Sequence, residues 1–343
     1  MSFRDPIITL AHGSGGRAMH DLIDQVLVKA LQNPLLDPTT DQARIPLAQI
    51  LAYGDRLAFT TDSYVVDPLI FPGGDIGRLA VCGTVNDLAM GGAIPLFLSC
   101  GLIIEEGLPL ATLERVITSL AATAAEVGVT IVTGDTKVVP RGAADQLFIN
   151  TAGIGGIPTG LNLSSDTVQV GDVVLVNGYM GDHGTAILAA REELALETPI
   201  LSDCQPLHNL VQTLLQACSQ VRVLRDLTRG GLATILNEVA AAAHVRIDVD
   251  ESALPIRPEV HALCEILGLD PLYLANEGKL MAVVPASQAD LALATLQSHP
   301  LGTHARIIGQ VVARDPGTVV LQTPYGSERI LDMLQGELLP RIC

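Results

Sequence analysis

The sequence is poor in aromatic and basic residues, and both shortages limit the partners that it can bind. Its 343 residues include no tryptophan, five tyrosines and five phenylalanines, too few for a platform on which the bases of single-stranded nucleic acid stack. Lysine and arginine number 20 against 37 aspartates and glutamates, which gives a formal net charge of −17. Since nucleic acids and anionic membranes attract clustered positive charge, we expect neither as the main partner. Nucleotide phosphates are not excluded, because Mg²⁺ and backbone amides can hold them.

The sequence also lacks paired cysteine motifs and long apolar runs. None of its six cysteines forms a C-x-x-C pair, which favours reduced thiols and a cytoplasmic location. No signal peptide is visible at the start, and the longest apolar stretch, about residues 94–104, is too short and interrupted to cross a bilayer. Charged residues make up only 17% and hydrophobic residues 48%. That balance indicates a folded chain with an additional buried interface, such as that of a homodimer.

Strand and helix patterns occur in both halves of the chain. Its length predicts two domains, and the polar, turn-rich segment 160–171 marks a boundary between them. Both halves mix strand-like runs with apolar residues at helical spacing, which predicts an α/β or α+β class. We expect domains at residues 1–160 and 161–335, followed by a C-terminal tail at 336–343.

Three acidic turns in the first half are candidates for holding a metal ion and phosphates. Asp62 follows a predicted strand over 57–61, Asp135 follows one over 129–133, and Asp87 belongs to a third turn at Asn86–Asp87. Ligands of α/β folds bind beyond strand ends, and Mg²⁺ often takes one or two carboxylates together with nucleotide phosphates. An ordinary turn or helix cap explains each aspartate better when it is taken alone, and the two interpretations are about equal for the three together.

A glycine-rich segment, Gly13, Ser14, Gly15 and Gly16, directly precedes a predicted helix over residues 19–31. Glycines let the backbone approach a phosphate, and a helix N-terminus offers free N–H donors. The segment matches neither the Walker A motif nor G-x-G-x-x-G. A flexible loop with a helix cap explains it at least as well.

The second half of the chain also contains a glycine pair before a predicted helix and a pair of charged residues before an apolar run. Arg229 and Gly230 precede another predicted helix, and Glu277 and Lys279 lie two residues apart before an apolar run. If this segment were a strand, both side chains would share one face. Turn chemistry is the alternative for each motif, and we interpret His183 as structural, because no second His or Cys lies at ligand spacing.

Cys343, the last residue, is an unusual place for a thiol. Its own carboxylate disfavours the thiolate. An extended tail reaches about 3.3–3.6 Å per residue, far enough to carry the thiol between two sites. An incidental terminal cysteine is the alternative.

Together these segments resemble the HypE family of hydrogenase maturation factors, in the aminoimidazole ribonucleotide synthetase-like ATP-binding superfamily. The resemblance runs from about residue 10 to residue 343 and includes HGSGG, GDTKVVP, VNGYMGDHG, LANEGK and the terminal PRIC. One departure is Leu227, where we expect proline in this family. We expect that change to alter the stiffness of the loop slightly.

The resemblance implies a two-domain fold with a flexible C-terminal tail, and N-terminal domains that pair in a homodimer. It implies that the C-terminal cysteine receives a carbamoyl group from the carbamoyltransferase HypF. ATP with Mg²⁺ then drives dehydration of this S-carboxamide to a thiocyanate. The cyano group passes to iron on the HypC–HypD complex, toward the NiFe-hydrogenase cofactor.

The resemblance also assigns roles to residues. The nucleotide site would draw on both halves of the chain: Gly13, Ser14, Gly15, Gly16, Asp55, Asp62, Asp87, Asp135, Arg229 and Gly230. Of these, Asp62, Asp87 and Asp135 would hold Mg²⁺, and Asp55 is a weaker candidate. Cys343 would carry the substrate, while Lys137 and Glu277 would polarise and deprotonate the amide, with the choice of base open between them.

Two other functions stay open at this stage. One is a kinase or synthetase of the same superfamily that acts on a free small molecule, such as thiamine-monophosphate kinase or selenophosphate synthetase. Such an enzyme should be indifferent to losing Cys343, and a selenophosphate synthetase should carry a cysteine near the glycine loop, whereas none precedes Cys82. The other is a non-catalytic scaffold that docks maturation proteins.

Overall fold

The computed structural model describes residues 6–36, 40–191 and 198–334, which form two compact units. The first unit contains residues up to 88 together with 93–159, and the second contains 89–92 and residues from 160 onward. Both units mix helices with β-sheet, so the predicted α/β class is confirmed. Within the described residues, no helix is long and apolar enough to cross a membrane. The predicted tail at 336–343, with Cys343, lies outside these residues.

The first unit begins with a helix that changes its winding. Helix α1 (Arg17–Leu22) continues through a π-helical turn (Ile23–Val28) into α2 (Lys29–Leu31). The other helices of this unit are α3 (Leu47–Leu51), α4 (Ile76–Met90) and α5 (Leu110–Val127). Its strands are β1 (Arg56–Tyr64), β2 (Ile70–Phe71), β3 (Gly74–Asp75), β4 (Ile94–Glu105), β5 (Thr130–Val139) and β6 (Leu147–Ile157).

Four of these strands form one sheet in the order β1-β6-β4-β5, with β4 and β5 parallel and the other pairs antiparallel. Helices α4 and α5 cover one side. Apolar side chains at three- and four-residue spacing in α5 are buried, and Gly128 ends the helix in the left-handed conformation. The Thr84 hydroxyl of α4 lies 3.2 Å from the Tyr64 hydroxyl and bonds Thr151 of β6. We call the opposite side of the sheet the open face.

The open face carries large apolar side chains that no other described element covers fully. Leu57 and Phe59 of β1 are 52% and 66% exposed, and Ile103 of β4 is 42% exposed. Burial alternates along β1 and β6, so every second residue points to this side. The surface is therefore built of regular sheet positions and not of loop residues.

Strands β1 and β5 are longer than the sequence predicts, and the prediction that the three aspartates lie in turns is wrong. Asp62 lies inside β1, Asp135 lies inside β5, and Asp87 lies inside α4. Polar residues such as Gly134-Asp135-Thr136-Lys137 look like a turn, but cross-strand hydrogen bonds to β4 keep them extended. An edge strand tolerates polar residues because one side of it meets solvent.

The second unit has a seven-stranded sheet in the order β13-β12-β9-β11-β7-β10-β8. Its strands are β7 (Asp172–Val176), β8 (Val223–Asp226), β9 (Val245–Asp250), β10 (Leu280–Pro285), β11 (Arg306–Arg314), β12 (Thr318–Gln322) and β13 (Glu328–Ile330). Its helices are α6 (Asp182–Ala190), α7 (His208–Ala217), α8 (Gly231–Ala243), α9 (Pro258–Leu267) and α10 (Ala289–Ser298). Separate apolar clusters lie under α8 and under α7 with α10.

Helix α8 begins where two glycines adopt the left-handed conformation. Gly230 has φ 78° and Gly231 has φ 59°. A Cβ on Gly231 would lie 2.4 Å from the carbonyl oxygen of Leu272. The close approach of α8 to the segment that follows α9 is therefore enough to require glycine at 231 in the Arg-Gly-Gly motif.

We predict that Gly231→Ala lowers the free energy of unfolding by about 3 kcal/mol, since left-handed strain of about 1–2 kcal/mol adds to the overlap with backbone. Gly268→Ala is the matched control in the same unit. Gly268 also has positive φ, but its Cβ would meet nothing within 4 Å, so about 1 kcal/mol is expected. Urea denaturation of the two variants measures the difference. Equal losses would contradict the role of the close approach.

Candidate functional site

Asp62 and Asp87 lie on the helix-covered side of the first sheet. The Thr60 hydroxyl donates to Asp87 Oδ2 at 2.9 Å, and Asp62 lies two residues further along the same face of β1, about 7 Å from Thr60. Asp62 Oδ1 accepts the Ser63 N–H at 2.7 Å. Two carboxylates with a hydroxyl between them are the kind of oxygen ligands that Mg²⁺ takes from a protein when phosphates supply the rest.

Asp135 lies elsewhere, on the open face of the opposite edge strand. Its carboxylate pairs with Lys137, with 2.9 Å between Nζ and Oδ2, and both side chains are exposed. Two strands separate β5 from β1, a distance of about 14 Å. Asp62, Asp87 and Asp135 of one chain therefore do not form a single site. Among the described residues, no group of three or more His, Cys, Asp or Glu is arranged to hold a metal ion.

The glycine-rich loop lies beside the strand that carries Lys137. Residues 10–13 form a short 3₁₀ turn, and Gly15 has φ 76°. A Cβ on Gly13 would lie 2.8 Å from Cβ of Val138 and 2.9 Å from its backbone nitrogen. Glycine at 13 therefore allows the loop to pack against β5, while Ser14, Gly15 and Gly16 remain exposed. This arrangement brings the predicted phosphate loop and Lys137 into one region of the first unit.

The remaining nucleotide-site candidates are Asp55 and the pair Arg229–Gly230. Asp55 is exposed just before β1, 3.9 Å from the neighbouring Arg56. Arg229 is exposed directly before the buried Gly230, which caps α8. Asp55 lies in the first unit and Arg229 in the second.

The segment 276–279 of the second unit, which we call the Glu277 loop, is a loop and not a strand. Strand β10 begins only at Leu280, so the sequence expectation that Glu277 and Lys279 share one face of a strand is wrong. Asn276 is buried and bonds three backbone groups: the N–H of Gly181 and the carbonyls of Leu227 and Leu274. These bonds satisfy buried backbone that no strand partner reaches.

Asp203 ties the Glu277 loop to a neighbouring segment. Its Oδ1 accepts the backbone N–H of Glu277 at 3.0 Å, and its Oδ2 lies 2.9 Å from the Lys279 ammonium. The Asp203 and Lys279 side chains are 5% and 13% exposed, and Glu277 is 3% exposed. A Cβ on Gly278 would overlap the Asp203 carbonyl oxygen, so glycine is needed for this approach. Glu277 and Lys279 therefore meet through a third residue.

The charge of Asp203 is stabilised by its surroundings. Burial raises the pKa of the Asp203 carboxyl, but the Lys279 ammonium, the His183 ring and the Glu277 amide outweigh burial and leave that pKa below its usual value. His183 is fully buried, and its Nδ1 lies 2.8 Å from the Ser202 hydroxyl. His183 thus has a structural contact, as the sequence predicts.

Asp203 is the residue of this cluster that sequence reasoning missed. It lies in the loop 198–207, far from the Glu277 loop in sequence, and Ser-Asp-Cys carries no motif. Its neighbourhood also includes Asp182, which forms an ion pair with Arg257. Burial raises the pKa of Asp182 and outweighs the opposing effect of Arg257. The contact between Asp203 and the Glu277 loop exists only in the folded chain, so no local pattern in a single sequence could have predicted it.

Leu227 contributes to the same loop through its backbone. Its N–H donates to the Lys279 carbonyl at 3.0 Å, and its carbonyl accepts the Asn276 N–H at 3.0 Å. Its side chain is fully buried. Proline at this position would lack the first of these bonds, so the departure at 227 adds a hydrogen bond to the Glu277 loop and does more than change stiffness.

Comparison with known proteins places this geometry in a family. Models of AIR synthase related proteins match residues 41–157 with their N-terminal domain and residues 169–322 with their C-terminal domain. Carbamoyl dehydratase HypE of Rhodobacter capsulatus is 54% identical over 100% of both chains. A crystal structure of hydrogenase maturation protein HypE in complex with ATP is 49% identical, with a TM-score of 0.92 over 98% of this chain and 99% of that chain. A chain of the HypE–HypF complex is 45% identical, with a TM-score of 0.78 over 91% and 99%.

We predict that Asp203→Asn destabilises the protein by about 3 kcal/mol at neutral pH, because the buried Lys279 ammonium loses its counter-ion. The pKa of Asp203 is lower in the folded protein than the unfolded value of about 3.9, so its contribution is present above that pH and is lost as pH falls through the folded pKa. The difference between wild type and variant should therefore shrink below about pH 4. Urea denaturation at several pH values measures it, and a difference that grows with acid would contradict the assignment.

Proposed function

The chain belongs to the HypE family of AIR synthase related proteins, and we propose that it dehydrates a carboxamide carried on the sulfur of its own Cys343. It is a carbamoyl dehydratase of hydrogenase maturation and binds ATP. The observation that carries the proposal is the match to a carbamoyl dehydratase over 100% of the chain, which includes Cys343.

The proposed reaction removes one water from the S-carboxamide. An amide oxygen is a poor leaving group, and ATP supplies the phosphoryl group that turns it into phosphate. Loss of both N–H protons and of the oxygen as phosphate leaves the thiocyanate S–C≡N, with ADP and phosphate as the other products. The protein must therefore orient the thiocarboxamide, polarise its carbonyl and accept a proton.

We assign the proton acceptor to Glu277 and the polarising cation to Lys137. Glu277 is a buried carboxylate whose backbone N–H is held by Asp203, and a carboxylate is a common general base. Lys137 is exposed and paired with Asp135, so its ammonium is available to a substrate that displaces this weak surface contact.

We further propose that Mg²⁺ is held by Asp62 and Asp87, which fit its preference for carboxylate oxygens. The metal would neutralise phosphate charge when ATP is bound. In the segment Gly13–Gly16, the exposed Gly15 and Gly16 are candidates to offer backbone N–H groups to the phosphates. Asp135, on the opposite edge strand, contributes to the same kind of site only if a second copy brings its β5 to β1. Asp55, Arg229 and Gly230 remain candidates for contacts with the rest of the nucleotide.

We propose that two copies of the chain pair in a homodimer through the open face. Phe59, Leu57 and Ile103 would leave water on pairing, and large exposed apolar patches mark association sites. The pairing also explains why a chain with a net charge of −17 keeps an apolar sheet surface.

We propose that HypF supplies the carbamoyl group, and the similarity of this chain to one of a HypE–HypF complex supports HypF as its partner. We propose that the HypC–HypD complex receives the cyano group and that these steps occur in the cytoplasm. Five cysteines in the described part of the chain are free thiols: Cys82, Cys100, Cys204, Cys218 and Cys264. Free thiols are typical of a reducing compartment.

We predict that intact-mass analysis finds one carbamoyl group on Cys343 after incubation with HypF and carbamoyl phosphate. The carbamoylated protein, repurified from HypF, should lose the mass of one water on addition of Mg-ATP. Cys343→Ala should gain no carbamoyl group, and Glu277→Gln should gain one but lose water at least about 100-fold more slowly.

Each outcome separates the candidate functions. If Cys343 stays unmodified while HypF is demonstrably active, the tail substrate is wrong, and a free small molecule becomes the candidate. If the carbamoylated protein keeps its oxygen with Mg-ATP, the protein acts as a carrier or scaffold. Unchanged water loss in Glu277→Gln would remove Glu277 from the mechanism.

We predict that Phe59→Asp converts the dimer to a monomer, because a charge on the open face would be buried without a partner on pairing. Ile266→Asp is the matched control, since Ile266 is a 70% exposed apolar residue on α9 of the second unit. Sedimentation velocity of wild type and both variants measures the oligomeric state. A monomeric wild type, or a dimer in Phe59→Asp, would rule out pairing through this face.

A further inference from the structure

Asp203 is a buried carboxylate to which the chemistry above gives no part. It makes one bond to the backbone N–H of Glu277 and one ion pair with Lys279, two residues further on. Both contacts fall on the same four-residue loop. One of the two contacts is made to the backbone of the residue that serves as base.

The Glu277 loop has fixed backbone on its other sides as well. Asn276 bonds the Gly181 N–H, and Asn177 donates to the Gly278 carbonyl at 3.2 Å. Lys279 also donates to the Gly278 carbonyl, at 3.3 Å. Asp203 is the carboxylate among these groups, and its ion pair with Lys279 adds a second contact between the loop 198–207 and the Glu277 loop. Without Asp203, the Glu277 backbone N–H and the Lys279 ammonium would both lose this partner.

We propose that Asp203 is a positioning residue for Glu277: it holds the Glu277 loop by the Glu277 amide and by the Lys279 ammonium, and so fixes where the reacting carboxylate lies. The inference rests on the proposed function, in which Glu277 accepts the proton. It predicts an effect on the rate of water loss and not on ATP binding.

The test uses full-length protein carbamoylated on Cys343 and follows loss of water in a single turnover by intact mass. Asp203→Asn should lower the maximal rate about 100-fold, as expected when a reacting group is misplaced. The ATP concentration that gives half of this rate should change by less than about twofold, since ATP binding is not touched.

Asp172→Asn is the matched control. Asp172 is also a buried carboxylate of the second unit that accepts a backbone N–H, from Gln169 at 2.8 Å, and pairs with an arginine, Arg222 at 3.3 Å. It should lower the stability of the fold but leave the rate within about twofold of wild type. Equal slowing in both variants would show a general effect of stability and overturn the inference.

Lysine variants test the same contact from the other side if Asp203→Asn folds poorly. Lys279→Met removes the ion pair and should slow water loss about tenfold, while Lys279→Arg keeps a cation and should restore most of the rate. An arginine variant as slow as the methionine variant, or an Asp203→Asn variant as fast as wild type, would refute the inference. If wild type itself loses no water, the proposed function fails first, and the inference with it.

Discussion

The ion pair between Asp203 and Lys279 is the contact on which the arrangement of the second unit's site depends. Removing both charges from water is costly, and the cost is met only when each carboxylate oxygen and the ammonium have good partners. Here Oδ1 takes the Glu277 amide and Oδ2 lies at the ammonium. The pair therefore adds little net stability but specifies one position for the Glu277 loop.

The surrounding polar residues follow from the same constraint. A buried loop at the end of an inner strand has N–H and C=O groups that no strand pairs, and each unpaired group would cost free energy. Asn177 and Asn276 supply side-chain amides that mimic strand partners, with bonds to Leu280, Gly278 and Gly181. The glycine at 278 allows the segments to approach so closely. The rigidity that a general base needs is thus a consequence of satisfying buried backbone.

Local patterns predicted the elements well and the site only in part. Helices α5 and α8 follow directly from apolar spacing with proline and glycine at their ends. The extent of β5 was missed, because polar residues on an edge strand look like a turn until the pairing with β4 is known. Glu277 and Lys137 were identified through family motifs, whereas Asp203 was not, because the contact joins segments 74 residues apart. Nothing local in a sequence reports such a pair.

Leu227 shows how one departure from a family pattern acts through backbone chemistry. Leucine retains an N–H, and this N–H reaches the Lys279 carbonyl, on the same residue whose ammonium pairs with Asp203. Lys279 is therefore held at two points. Its backbone carbonyl accepts the N–H of Leu227, directly after β8, and its ammonium pairs with Asp203. A proline would have a fixed φ and would leave that carbonyl without this donor. The leucine side chain also fills the apolar cluster under α8. With leucine at 227, the chain has one more hydrogen bond to the Glu277 loop and lacks the fixed φ of a proline. The position of the loop therefore depends more on hydrogen bonds than on backbone rigidity.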